Sequence, residues 1–525
     1  MTLALRRPRH PLAHPICARG LALGLGGGAL VLSACFDPGV PVDTELAEGS
    51  GTTSQEQTAT SPGTETSTTA TTPTTGPDTD DPPTTDPDTT AGPADCEGDG
   101  PDPACDAATP YCVDGTCVDC TGLPDGACMA LDPTAPVCDA EVGVCSGCTE
   151  HEQCSTGACR YTTGECFAQS NRLWVDNTFG GCAGGTGSEA NPFCTVVEAM
   201  EVLNGQAGSE PWAIFVAGSP NPYEGTVDPD NNRPVAIIGP SAGLAATLDG
   251  VAGFTIDHWA QSPETYLARL TIDRGFSGTA IRCNTGQVFA TDTNFVGGDT
   301  AADVTGCSLR LRRSVVSTGG LGVMVTGAGE LLTDQTTFEN SSGGIVIDGG
   351  SAVLRRSVVR NHYVAGGIEV INGGELQLVN SMVYYNQYNN DGVHVANGGT
   401  VDVVHSTIIG TFSCGGMAGP TSIRNSIVLH QPFEAGLDCT STSVHTSVVN
   451  TGLGQGMGNV QADAMDLGTI FVNPVTGMDA DWHVLPGSIP EGVAVHQPGD
   501  PVVDFDGEPR PEMAGANDYA GADVP

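Results

Sequence analysis

Lysine is absent from the chain. All 18 basic residues are arginines, set against 62 aspartates and glutamates, and the formal net charge is −44. A field of that sign repels phosphate backbones and anionic head groups, which argues against nucleic acid as a partner. Cations, and ligands carrying few negative charges, are easier to accommodate, and the same charge keeps an exported chain soluble. No Walker loop, Gly-x-Ser-x-Gly, His-Glu-x-x-His or complete EF-hand loop occurs; Asp504-x-Asp506-Gly507 shares only a fragment of the last. The sequence therefore implies no cofactor and no dedicated metal centre, beyond weak calcium binding by so acidic a chain.

What is present begins with an export signal. Arg6, Arg7, Arg9 and Arg19 flank an apolar stretch, Leu21 to Ala34, too short to span a bilayer permanently, so residues 1–34 read as a signal peptide. The stretch ends Leu32-Ser33-Ala34-Cys35, which resembles the lipobox of bacterial lipoproteins. That resemblance implies lipidation of Cys35 and anchorage in a membrane. Phe36 stands where an aspartate would signal inner-membrane retention, which points to the outer membrane or cell surface. Residues 35–95 are Thr, Pro, Gly, Ser, Asp and Glu with almost no large apolar side chain, and no basic residue occurs between Arg19 and Arg160. Such a stretch cannot bury enough surface to offset its ordering entropy, and reads as a disordered acidic stalk.

Residues 96–170 hold twelve of the 20 cysteines, in three groups of four. They are Cys96, Cys105, Cys112 and Cys117; Cys120, Cys128, Cys138 and Cys145; Cys148, Cys154, Cys159 and Cys166. Phrases repeat with them: Pro110-Tyr111-Cys112 matches Pro136-Val137-Cys138, and Val118-Asp119-Cys120-Thr121 matches Ser146-Gly147-Cys148-Thr149. These read as three small modules, each held by two disulfides of open connectivity. The pairs Cys117/Cys120 and Cys145/Cys148 have zinc-ligand spacing, but each straddles a module boundary, and an oxidising compartment favours disulfides.

Beyond residue 171 a repeat of short strands takes over. A polar-polar-Ser/Thr-x-apolar phrase places its hydroxyl at Thr293, Ser314, Thr336, Ser357, Ser381, Ser406, Ser426 and Ser447, a period of 20 to 25 residues. Strands recurring at that period make the coils of a parallel β-solenoid. Two places after each hydroxyl come Phe295, Val316, Phe338, Val359, Val383, Ile408, Val428 and Val449, an interior column. The place before it is polar throughout, from Asp292 and Arg313 to His405, Asn425 and Thr446, and alternation predicts that it faces water. Asn-Gly-Gly at 372–374 and 397–399 marks a corner. Asn340, Asn361 and Asn386 are candidates for a stacked asparagine at another.

Residues 172–500 resemble the pectate-lyase-like right-handed β-helix superfamily. The resemblance rests on the coils, on Leu173-Trp-Val-Asp176 with Pro192-Phe-Cys194-Thr195 before a helical Val196 to Leu203, and on the closing phrases Asp481-Trp-His483, Asp504-Phe-Asp506-Gly507 and Arg510-Pro511. It implies an all-β fold over 171–525, with a helix plugging the first coil and a closing segment as cap. Cys283/Cys307 and Cys414/Cys439, about one coil apart, are placed to staple neighbouring coils, and Cys182/Cys194 to close the opening loop.

The resemblance says less about chemistry. Pectate lyases hold calcium beside a uronate with acidic side chains and use Arg or Lys as base; here Arg312, Arg313, Arg355 and Arg356 are the dense basic group, and with Asp334 between them they read as a surface charge ladder. Asn390-Asp391-Gly392 resembles a fragment of the polygalacturonase signature, which makes Asp391, with His394 nearby, the weak catalytic candidates. Their other reading is a turn residue and an exposed polar position, like His405. Tyr363, Tyr384, Tyr385 and Tyr388 form the richest aromatic group and are candidates for stacking on sugar rings. The expected function is a cell-surface protein displaying a non-catalytic β-helix that binds a glycan or another surface partner; the alternative is a polysaccharide lyase or hydrolase with a divergent site.

Overall fold

The computed structural model describes residues 100–525 apart from 102–104, 106–109, 114–115, 124–126, 132–133, 141–142, 230–231, 251–252, 260–262, 276, 387–390, 431–435, 440–441, 451–455, 463–466 and 476–479. Cys35, Cys96 and Tyr388 lie outside the described residues, as does the side chain of Asp391.

Three parallel sheets run along the coils: wall A with twelve strands, wall B with twelve and wall C with nine. One coil shows the plan. Gln287–Thr291 lies in wall A, Asn294–Val296 in wall B and Thr300–Val304 in wall C, and Ser308–Arg312 then resumes wall A in register, Gln287 beside Ser308. The column two places after the hydroxyl is the interior, each member no more than 1% exposed from Phe295 to Val449.

The polar column before the hydroxyl is not an outward strand position. Asp292, Arg313, Gln335, Arg356, Asn380, His405, Asn425 and Thr446 all have φ between 44° and 54°. They form the corner between walls A and B, a left-handed conformation that Asn and Asp adopt more readily than apolar side chains do. Its later members do not face water either: Asn380, His405 and Asn425 are buried beneath the C-terminal segment.

That corner explains the hydroxyls. Turning the chain leaves the next N–H without a strand partner, and a buried orphan donor is costly. The hydroxyl one coil further on accepts it: Thr293 N–H donates to Ser314 Oγ at 3.2 Å, Ser357 to Ser381 at 3.2 Å, Ser381 to Ser406 at 3.2 Å and Ser406 to Ser426 at 3.1 Å. Each serine in turn donates to the carbonyl two residues before it, as Ser381 does to Val379 at 2.9 Å. Ser381→Ala is therefore expected to cost about 1–3 kcal/mol, the penalty of stranding the Ser357 N–H. Ser381→Thr should be nearly neutral, because Thr293 and Thr336 occupy the same column; equal losses in urea melts would refute the ladder.

At the corner from wall C to wall A, Asn372 and Gly373 have φ of 53° and 82°. A Cβ on the following Gly374 would stand 2.5 Å from the Ile347 carbonyl oxygen of the previous coil. The asparagine stack is shorter than its spacing suggested. Asn340 and Asn361 share a corner at φ 55° and 58°, but Tyr385 takes the next place at 56°, and Asn386 sits one residue on, accepting from His362 N–H.

The first coil is closed as amphipathic logic requires, whereas the closing segment, expected as a cap, covers the side of wall B. Val196–Asn204 is capped by Thr195, whose hydroxyl accepts from Glu198 N–H while the Glu198 carboxylate accepts from Thr195 N–H. Val196, Ala199, Met200 and Leu203 are buried against Leu173, Val175 and Ile214 at the first coils. Disulfides join Cys182 to Cys194, Cys283 to Cys307 and Cys414 to Cys439, the last two binding one coil to its neighbour. The closing segment lies along the outside of wall B. Its Ile470, Phe471, Trp482 and Val484 cover the outward Met382, Tyr384, Ile409 and Leu429.

In the cysteine modules each described bond stays within its group of four, and in the second and third groups the two bonds cross. Cys105 pairs with Cys117, Cys120 with Cys138, Cys128 with Cys145, Cys148 with Cys159 and Cys154 with Cys166. Cys112 is also disulfide-bonded. All four cysteines of the two C-x-x-C pairs are thus engaged in disulfides.

Candidate functional site

The third module, 148–166, does not hang free. Its Ala158 and the following Phe167 pack on Ala213, Ala236, Ile238, Tyr266, Ala268 and Phe289, the outward residues of the first coils of wall A, with Tyr161 against them. Tyr161 meets the Tyr266 ring edge-on at 5.4 Å and the Phe289 ring at 5.8 Å. Ion pairs frame this apolar patch: Arg160 Nε to Glu264 Oε2 at 2.7 Å, Arg312 and Arg313 to the two oxygens of Glu150 at 2.7 and 2.9 Å, and Arg269 to Glu152. Burial works against the Glu264 carboxylate, but hydrogen bonds from Arg160, Tyr266 and Thr162 outweigh it and hold the group below its ordinary pKa. The arginines read as a charge ladder thus serve in part as a clamp. Asp334 does stand in register between Arg312 and Arg355, but its oxygens accept from Arg356 at 2.9 and 2.6 Å.

Where the module stops, wall A opens into a cleft. Along one outward column the strands place Tyr266, Phe289, Arg310, Leu332, Val353, Gln377, Asp402 and Ser422 side by side. The module covers the first two. Beyond them lies a hollow of about 440 Å³, with Thr149 and Tyr161 on the module side, Leu332 and Val353 as floor, and Arg310, Arg312 and Arg355 around it. A second hollow of about 580 Å³ shares Val353 and continues past Glu375, Gln377, Asp402 and Ser422. From Arg310 to Ser422 is five coil steps, about 24 Å at roughly 4.8 Å per step. Arg310 and Arg355 are exposed and have no carboxylate partner among the described residues. Arg310 lies over the Phe289 ring, 5.2 Å from its centroid, which fixes the guanidinium at the mouth of the hollow.

The residues singled out from sequence fall elsewhere. Asp391 opens the wall C strand Asp391–Val395, and His394 on the same strand sets Nδ1 2.8 Å from Ser413 Oγ. That wall is separate from the cleft. Tyr384 is 5% exposed, packed on Trp482, and its hydroxyl accepts from Arg360, so it is closed to a sugar. Tyr385 packs into the same cluster. Tyr363 is exposed, with its hydroxyl donating to the Asn340 carbonyl at 2.6 Å. His405 is not an exposed position: it is fully buried, with Nε2 3.3 Å from Asp500 Oδ2. Sequence reasoning missed the cleft, although an outward strand column carrying Leu332 and Val353 on a solenoid wall was a signal for it.

Residues 265–451 match the family model described as a right handed beta helix region. Among curated proteins none matches the chain. Of solved structures, a rhamnogalacturonan lyase aligns at 11% identity and TM-score 0.30, over 53% of this chain and 87% of its own. A GH136 lacto-N-biosidase from Eubacterium ramulus aligns at 11% and 0.31, over 56% and 67%. At that distance the likeness carries nothing about activity. The family match and the three-walled coil together identify a right-handed parallel β-helix domain in this chain.

Proposed function

We propose that this is an extracytoplasmic binding protein that holds a carboxylated glycan along wall A without cleaving it. The observation that carries the proposal is the pair Arg310 and Arg355. In a chain with 62 acidic residues and 18 arginines, two exposed guanidinium groups without carboxylate partners among the described residues flank one hollow. A planar guanidinium binds carboxylate through two parallel hydrogen bonds, the apolar floor suits the faces of sugar rings, and the length of the groove suits a linear polymer. The polar run Gln377, Asp402 and Ser422 would hydrogen-bond hydroxyls further along. Hydrolysis needs two carboxylates across the bond to be cut; in the arginine-lined hollow Asp334 is the carboxylate, and both its oxygens are held by Arg356. The neighbouring hollow carries Glu375 and Asp402, so new reducing ends lost in Glu375→Gln or Asp402→Asn would replace binding with hydrolysis.

A glycan array followed by assays for reducing ends and unsaturated products tests this reading. Binding of uronate-containing oligomers without turnover is expected. Unsaturated products lost in Arg355→Ala would replace it with a lyase acting in the same cleft.

Anchorage belongs to the same proposal. Lipid on Cys35 would tether the stalk and display the cleft away from the membrane, so Cys35→Ser should move the protein from the detergent to the aqueous phase. Unchanged partitioning would remove the anchor from the account.

A further inference from the structure

The closing segment gathers a set of side chains that the β-helix itself does not require. His483 lies on the strand Asp481–Val484, with Nε2 2.8 Å from Asp506 Oδ2. That nitrogen is shielded from solvent, yet it makes no well-aligned hydrogen bond. The other ring nitrogen, Nδ1, rests against Asp481 Oδ1. Asp523, 3% exposed, completes the group and accepts from Val484 N–H through Oδ2 at 2.8 Å. One donor atom from each of His483, Asp506 and Asp523 lies within 4.8 Å of the other two.

Asp504 builds the frame. It is fully buried; its Oδ1 accepts from the N–H groups of Asp506, Gly507 and Glu508, and its Oδ2 accepts from Val524. One carboxylate thereby fixes both the loop that presents Asp506 and the tail that presents Asp523. The Asp-x-Asp-Gly fragment thus has divided duties: the first aspartate organises backbone, and the second points its side chain at an imidazole.

We propose that His483, Asp506 and Asp523 hold a divalent cation of the Zn²⁺ or Mn²⁺ type, with Asp481 as the positioning residue for the imidazole. Three features fit. A nitrogen and an oxygen 2.8 Å apart but misaligned for a hydrogen bond are near neighbours that need to part by only a few tenths of an ångström to become adjacent ligands of one ion, whose bonds are about 2.0–2.2 Å. A carboxylate on Nδ1 leaves the Nε2 lone pair for metal, the usual outer partner of a ligating histidine. Two carboxylates and one imidazole suit a borderline ion better than Ca²⁺, which takes six to eight oxygens. The ion would tie a hairpin, a loop and the chain's tail together over wall B, so its binding free energy would add to the stability of the closing segment.

The test is calorimetric titration of the full, chelator-treated protein with ZnCl₂, beside Asp506→Asn and His483→Gln. Asp506 is exposed and its side chain lies against His483, so the asparagine variant should melt like wild type without metal. One tight equivalent is expected in wild type, at least about 10-fold weaker in either variant, with a zinc-dependent rise in melting temperature that both variants lose. Absence of a saturable equivalent, or an equivalent unchanged by both substitutions, would overturn the site and leave His483 as an imidazolium between carboxylates.

Discussion

Val359→Asp should cost several kcal/mol, whereas Arg356→Asp, three residues away, should cost about 1 kcal/mol or less. Val359 is fully buried in wall B between Phe338 and Val383 of the neighbouring coils. An aspartate there would lie in the interior column with no cation to meet it, and must either stay charged or be protonated at a cost. Arg356 stands at the left-handed corner, φ 44°, partly exposed and paired with Asp334. Aspartate tolerates that conformation, and the ion pair it would forfeit is of the weak, solvent-screened kind. Denaturant midpoints of the two variants measure the difference; similar losses would mean that the coil register is wrong.

Acidification from pH 7 to pH 5 should destabilise the fold through buried histidines. Burial pushes His151 down to about 3, with Arg269 and Arg313 adding to it, and burial pushes His362 down to about 4. The sign follows directly. Between the unfolded value near 6.5 and these folded values the unfolded chain binds more protons, so stability is lost as the pH falls. Each group accounts for about 2 kcal/mol by pH 5. In the metal-free protein Asp523 works the other way: burial above all, with help from Asp504 and Asp506, pushes it up to about 7, so its protonated form favours the folded state over the same range. The informative quantity is therefore a difference. In His362→Gln the loss between pH 7 and pH 5 should be smaller by about 2 kcal/mol; an unchanged slope would contradict a neutral, buried imidazole.

Much of the fold was legible because a solenoid repeats its reasons. The hydroxyl column and the apolar column two places on recur once per coil, and each has one physical cause acting at every recurrence. The polar column was visible too, but its meaning was not, since a run of Asp, Arg, Asn and His looks the same at an exposed strand position and at a left-handed corner. Non-local contacts were harder still. Nothing near His405 announces that Asp500 will lie against it, 95 residues on. Likewise Arg313 reads as a surface charge until Glu150, 163 residues earlier, is brought to it by a docked module. The cleft depends on that docking, so the candidates drawn from local signatures, Asp391, His394, Tyr384 and Tyr385, fell on other walls or under the closing segment.

On the proposed function, the arginine-lined hollow of wall A recognises carboxylate on a sugar. The most direct measurement is the dissociation constant of one uronate oligomer and its carboxyl-reduced counterpart for wild type, Arg310→Ala and Arg355→Ala. Hydrogen bonds to charged groups contribute about 1.5–3 kcal/mol, so each substitution should weaken the acidic oligomer about 10-fold or more and leave the reduced one almost unchanged. Equal affinity of wild type for both oligomers, or acidic binding indifferent to both substitutions, would rule out carboxylate recognition in this hollow.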